Sequence, residues 1–102
     1  MSAEQEFERI TEYLLSTHNA IAGQMFGKRC IKINNKAGIA LFKDCIVFKL
    51  PKEKHAEAIS LNGSILWDPS GKGRAMKEWV QVTLEHQSKF DAFAIAAADY
   101  VG

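Results

Sequence analysis

The stretch Cys30-Ile31-Lys32-Ile33-Asn34-Asn35-Lys36-Ala37-Gly38-Ile39-Ala40-Leu41-Phe42-Lys43-Asp44-Cys45-Ile46-Val47-Phe48-Lys49-Leu50 decides the fold. From Cys30 the pattern has a period of two: Ile31 and Ile33 alternate with Lys32 and Asn34, as they must on a strand with one buried face. Asn34-Asn35-Lys36 tolerates turn geometry. Ala37 to Phe42 reads as a second strand, Lys43-Asp44 as a tight reversal, and Cys45 to Leu50 as a third strand rich in β-branched and aromatic residues. Connections this short join antiparallel neighbours, so the three strands form a meander.

Outward from the meander, helices appear on both sides. Residues 3 to 16 place Phe7, Ile10, Tyr13 and Leu14 at helical spacing, with Glu4, Glu6, Glu8 and Glu12 largely on other faces. Gly23 reads as part of a connection between that helix and the first strand. Pro51 suits the start of a second helix, Lys52 to Leu61, which Asn62-Gly63 stops. Ser64 to Trp67 is a brief strand, Asp68 to Arg74 a loop, and Trp79 to Leu84 a last strand. Ser88, with Asp91 three residues on, resembles a capping box that opens a final helix carrying Phe90, Phe93, Ala94 and Ala97 on one face. The expected fold is therefore α+β, an antiparallel five-stranded sheet in the order α-β-β-β-α-β-β-α, with helices over one face.

A chain of 102 residues is the size of one domain, 1-102, with one core. Its 13 Lys and Arg against 12 Asp and Glu leave no global field to attract nucleic acid or anionic lipid, so such a partner needs a local patch. The apolar run Tyr13-Leu14-Leu15 is too short for a signal segment or a membrane span, which argues against a membrane partner and for a cytoplasmic location. Two cysteines, Cys30 and Cys45, make neither a metal quartet nor a disulfide framework and read as reduced strand residues. His18, His55 and His86 stand apart from one another and from acids at ligand spacing, so neither a metal nor any other cofactor is expected.

Two segments carry candidate chemistry. In Ser70-Gly71-Lys72-Gly73-Arg74 the glycines would let backbone amides approach an anion while Lys72 and Arg74 supply charge, although the spacing matches neither the P-loop nor the dinucleotide fingerprint. Met25-Phe26-Gly27-Lys28 combines two large apolar residues with a glycine free to take positive φ, which reads as a shaped loop or as core capping. Lys28, Arg29, Lys32, Lys72, Arg74 and Lys77 would form a basic patch if they converged, and Trp67 and Trp79 could then add stacking surfaces. No nucleophile has a partner identifiable from the residues, so no catalytic set is named.

Met25-Phe26-Gly27, the strand end Val47-Phe48-Lys49-Leu50-Pro51, and Trp67-Asp68-Pro69 followed by Gly73-Arg74-Ala75-Met76-Lys77-Glu78-Trp79-Val80 together resemble the TfoX N-terminal domain family over roughly residues 8 to 101. The resemblance implies a secretion-chaperone-like α-β-β-β-α-β-β-α domain. It also implies a stand-alone relative of the competence regulators, without the C-terminal domain that follows in them, and carries no catalytic residues. The expectation is a binding or regulatory module rather than an enzyme. Its candidate contact residues are Met25, Phe26, Gly27, Lys28, Lys49, Lys72, Arg74, Lys77 and Trp79. A protein is the favoured partner, a small ligand is a second class, and nucleic acid through the basic residues is a disfavoured third. An enzyme holding an anionic metabolite on the Gly71 to Arg74 loop is the weakest alternative. The sheet edges would also allow a homodimer.

Overall fold

A computed structural model describes residues 2–102. Helix α1 (Ala3–Thr17) begins at Ser2, whose hydroxyl accepts from the Gln5 N–H at 3.2 Å while the Gln5 side chain accepts from the Ser2 N–H at 2.9 Å. This reciprocal pair satisfies two helix-end donors. Helix α1 buries Phe7, Ile10 and Leu14.

Four strands follow, not three: β1 (Ile21–Met25), β2 (Lys28–Ile33), β3 (Lys36–Phe42) and β4 (Cys45–Lys49). The expected connection around Gly23 is the interior of β1, so Met25-Phe26-Gly27 is a strand end and hairpin tip instead of a free loop. Helix α2 (Lys52–Ile59) leads to β5 (Ile65–Trp67) and β6 (Met76–Thr83). The last strand thus starts three residues before the expected Trp79. A 3-10 segment (Leu84–Lys89) precedes α3 (Phe90–Val101), which has no side-chain cap bond. Ser88 is therefore not the cap, because the chain is already turning when it reaches that residue.

All pairings are antiparallel, in the order β1-β2-β3-β4-β6-β5. The fold is α+β with three α-helices, and the sheet has six strands where five were expected. Both faces of the sheet bury apolar side chains. On one face Ile31, Ile39, Ile46, Phe48 and Val80 meet α1 and α3. Their sequence neighbours Cys30, Ala40, Val47 and Trp79, with Trp67, form a second and smaller cluster on the other face, which no helix covers. The length had suggested a single core; strand alternation gives this chain one on each side.

The second cluster survives without helices because the sheet rolls over it. Flat, β1 and β5 would lie five strand spacings apart, roughly 24 Å. Yet the rings of Phe26, at the β1-β2 tip, and Trp67, on β5, have centroids 6.4 Å apart. Register shifts between Ile31 and Lys32 and between Leu66 and Trp67 put a bulge in each arm, and bulges increase local twist. Trp67 is left with no exposed surface, enclosed by Phe26, by Phe42 at 5.9 Å and by Trp79 at 5.2 Å.

Candidate functional site

The β1-β2 and β2-β3 hairpins both turn through two residues at positive φ, the pattern of a type I′ turn. In β2-β3 they are Asn34 (φ 51°) and Asn35 (φ 65°), residues suited to that conformation. In β1-β2 they are Phe26 (φ 52°) and Gly27 (φ 73°). Gly27 meets the requirement, and a Cβ built there would touch nothing within 4 Å. Phe26 does not: a bulky residue in the left-handed region costs about 1 kcal/mol or more. Its side chain is nevertheless 65% exposed, so burial offsets little of that strain.

Opposite Phe26 lies the loop between β5 and β6, shaped by one carboxylate. Asp68 Oδ1 accepts from the Ser70 N–H (3.1 Å), the Ser70 hydroxyl (2.7 Å) and the Gly71 N–H (3.0 Å). Its Oδ2 accepts from the N–H groups of Gly73 (2.8 Å) and Arg74 (3.1 Å). These bonds, the Ser70 hydroxyl's foremost, hold the Asp68 carboxyl below its usual range. The glycine amides that could have cradled an external anion are thus occupied by the chain's own acid, and the positive φ values of Gly71 (69°) and Gly73 (77°) serve that inward arrangement.

Between hairpin tip and loop opens an apolar cleft of about 240 Å³, lined by Phe26, Pro69, Ser70, Arg74 and Met76. Beyond the Pro69-Ser70 ridge a second hollow of about 440 Å³ is bordered by Lys28, Phe42, Lys43, Ile65 and Gln81. The Lys28 and Lys43 ammonium groups lie 5.5 and 5.3 Å from the Phe42 ring centre, within cation-π range.

The sequence candidates therefore divide. Phe26, Lys28 and Arg74 line these two hollows, Lys72 stands in the loop, and Gly27 permits the turn. Met25 and Trp79 pack in the second cluster, Trp79 being 5% exposed, so both support the site from beneath. Lys49 pairs in register with Trp79 and reaches Glu78 at 4.0 Å. Lys77 borders a separate groove with His55 and Tyr100, where the His55 Nε2–H donates to the Lys77 carbonyl at 2.7 Å. Of the hollow-lining residues, Phe42, Lys43, Ile65 and Gln81 were not among the sequence candidates, because strand and turn positions carry no local sign of what the rolled sheet brings together.

The expected basic patch assembles only in part: Lys28 and Arg74 border adjoining hollows, whereas Lys77 and Arg29 lie elsewhere. Arg29 turns to the helix-covered face, 5.2 Å over the Phe7 ring and 3.7 Å from Glu8, and both tryptophans are buried where no base could stack. Cys30 and Cys45 are free thiols, each pushed up by burial and so protonated near neutral pH. Among the described residues no three His, Cys, Asp or Glu side chains gather where they could hold a metal, and no helix is long and apolar enough to cross a membrane. Comparison with protein-family models, curated proteins and solved structures finds no match.

Proposed function

We propose that this chain is a non-enzymatic binding module of the TfoX N-terminal kind, secretion-chaperone-like in fold and acting in the cytoplasm, that recognises a protein partner through the Phe26 cleft. The observation that carries this reading is Phe26 itself. A large apolar residue is strained at a turn position where the neighbouring hairpin uses asparagine, and it projects to solvent beside a cleft of matching character. The edge contact with Trp67 offsets part of that strain, but a ring left largely exposed has most of its surface available for a contact made outside the chain, which supports the binding reading. The sequence resemblance, which includes Met25, Phe26 and Gly27, supports the same surface.

The alternatives have less behind them. An enzyme gripping an anion on the 71–74 loop would have to displace Asp68 from five donor groups. A nucleic-acid binder would lack the stacking faces, since both tryptophans are buried, and would have only the few cations around the two hollows to meet its phosphates.

Phe26→Asn tests the proposal with a built-in folding control. Asparagine tolerates the left-handed turn but gives up the Phe26 contact with Trp67, and because the two effects oppose each other stability in urea is expected to stay within about 1 kcal/mol of wild type. Capture of the cellular partner on the immobilised chain should nevertheless fall at least tenfold relative to wild type, while Lys36→Ala, on the β2-β3 side, should capture normally. Undiminished capture by a folded Phe26→Asn variant overturns the reading.

A further inference from the structure

The binding reading leaves the chemistry of the partner open, and the charges around the two hollows narrow it. Ion pairs occur across much of the molecule: Arg9 with Glu6 and Asp91, Arg29 with Glu8, Lys49 with Glu78, Lys54 and Lys89 with Glu57. Among the described residues none of these pairs includes Lys28, Lys43, Lys72 or Arg74. Of the acids at this end, Asp44 follows Lys43 at the β3-β4 turn and makes no ion pair among the described residues. Asp68 spends both oxygens on the backbone and hydroxyl of its own loop.

Lys28 and Lys43 border one hollow and Arg74 the other, with the Pro69-Ser70 ridge common to both. The apolar cleft between Phe26, Pro69 and Met76 is therefore flanked by an excess of cations: Lys28, Lys43, Lys72 and Arg74 stand against Asp44 and Asp68, which lines the larger hollow, and among the described residues none of the four cations is in an ion pair with either acid. We infer that the occupant is an acidic protein segment: an apolar side chain seated in the cleft, flanked by Asp or Glu that pair with Lys28, Lys43 and Arg74. The inference rests on the binding-module reading and adds the charge of the partner to it. An all-apolar ligand would leave the cations unanswered, and an extended polyanion such as single-stranded nucleic acid would find one apolar notch and no accessible tryptophan. Charge complementarity of this kind sets partner choice and on-rate more than bulk affinity.

A selection of random dodecapeptides against the immobilised full chain tests this directly, with Phe26→Asn and the double variant Lys28→Glu/Arg74→Glu as parallel targets, each checked for folding by circular dichroism. Wild type should enrich peptides with at least two Asp or Glu around a Leu, Met, Phe or Trp. Their binding should fall about tenfold or more between low and high salt, since exposed charges are screened. Both variants should lose them. Enrichment of neutral apolar peptides that Phe26→Asn loses overturns the charge inference and leaves the binding module standing. Acidic peptides retained by Phe26→Asn remove the cleft and hence both readings. Enrichment of nothing, retention by Lys28→Glu/Arg74→Glu, or tight binding of a dT20 oligonucleotide by the same residues overturns the acidic-segment inference.

Discussion

Asp68 shows how much of a loop one side chain can organise. Nothing in Asp68-Pro69-Ser70-Gly71-Lys72-Gly73-Arg74 is regular, yet five groups of the segment donate to one carboxylate. A carboxylate held by such donors titrates below its unfolded value, so the stabilisation is complete above the unfolded value and is lost only as pH falls through the lower, folded one. The N–H resonances of Gly71, Gly73 and Arg74 should accordingly stay fixed from about pH 7 to 5 and move together only below about pH 4. Asp68→Asn should show the acid-like pattern already at neutral pH, because an amide nitrogen cannot accept from Gly73 and Arg74. Independent movement of the three resonances would mean that the carboxylate is not what joins them. The sequence disclosed the loop but not this wiring: glycines and a basic pair look alike whether their amides face a guest or the chain's own acid.

At the scale of elements, glycine separates two strands with opposite requirements. Gly23 lies within β1, where an added Cβ would come 3.0 Å from Lys32 Cε, the far end of a flexible side chain that can move aside. Gly23→Ala should therefore stabilise by about 0.5 kcal/mol through the reduced freedom of the unfolded chain. Gly38 lies within β3, and its added Cβ would come 3.0 Å from Val101 Cγ2 and 3.4 Å from the Ala97 carbonyl of α3. Gly38→Ala must make the buried Val101 side chain and the α3 backbone beside it yield by a few tenths of an ångström and should cost about 1–3 kcal/mol. Urea midpoints of the two variants, moving in opposite directions from wild type, check the pair. The same residues explain what was legible. Helix α1 and strand β2 announce themselves by period, and β3 and β4 as apolar runs between turn residues, whereas Ile21-Ala22-Gly23-Gln24-Met25 offers a glycine, a short alanine and no alternation. Phe26-Gly27 also lacks the Asn or Asp that marks a two-residue hairpin, so the strand it ends went unseen. The functional candidate and the missed element share one cause, since the residue that breaks the turn rule is the one exposed beside the cleft.

For the whole molecule, the decisive fact is that one sheet serves two cores. The apolar run Ile46-Val47-Phe48 is buried throughout because its residues alternate between the helix-covered cluster and the rolled face. A single-faced sheet would have needed a polar residue at Val47, so the unbroken run was the available signal of two-sided burial. Because β4 and β6 carry side chains of both clusters, neither cluster can come apart while the other keeps its strands. The chain places convenient reporters on the two sides: both tryptophans, Trp67 and Trp79, lie in the rolled cluster, while the helices that dominate far-ultraviolet circular dichroism pack on the other. Urea unfolding followed by tryptophan fluorescence and by ellipticity at 222 nm should therefore give coincident transitions with one midpoint, at a slope of about 1–3 kcal/mol per molar urea. Fluorescence changing at lower urea than ellipticity would mean that the rolled face opens as a separate unit, and that the hairpin tip bearing Phe26 can lift from Trp67 while the helices stay docked.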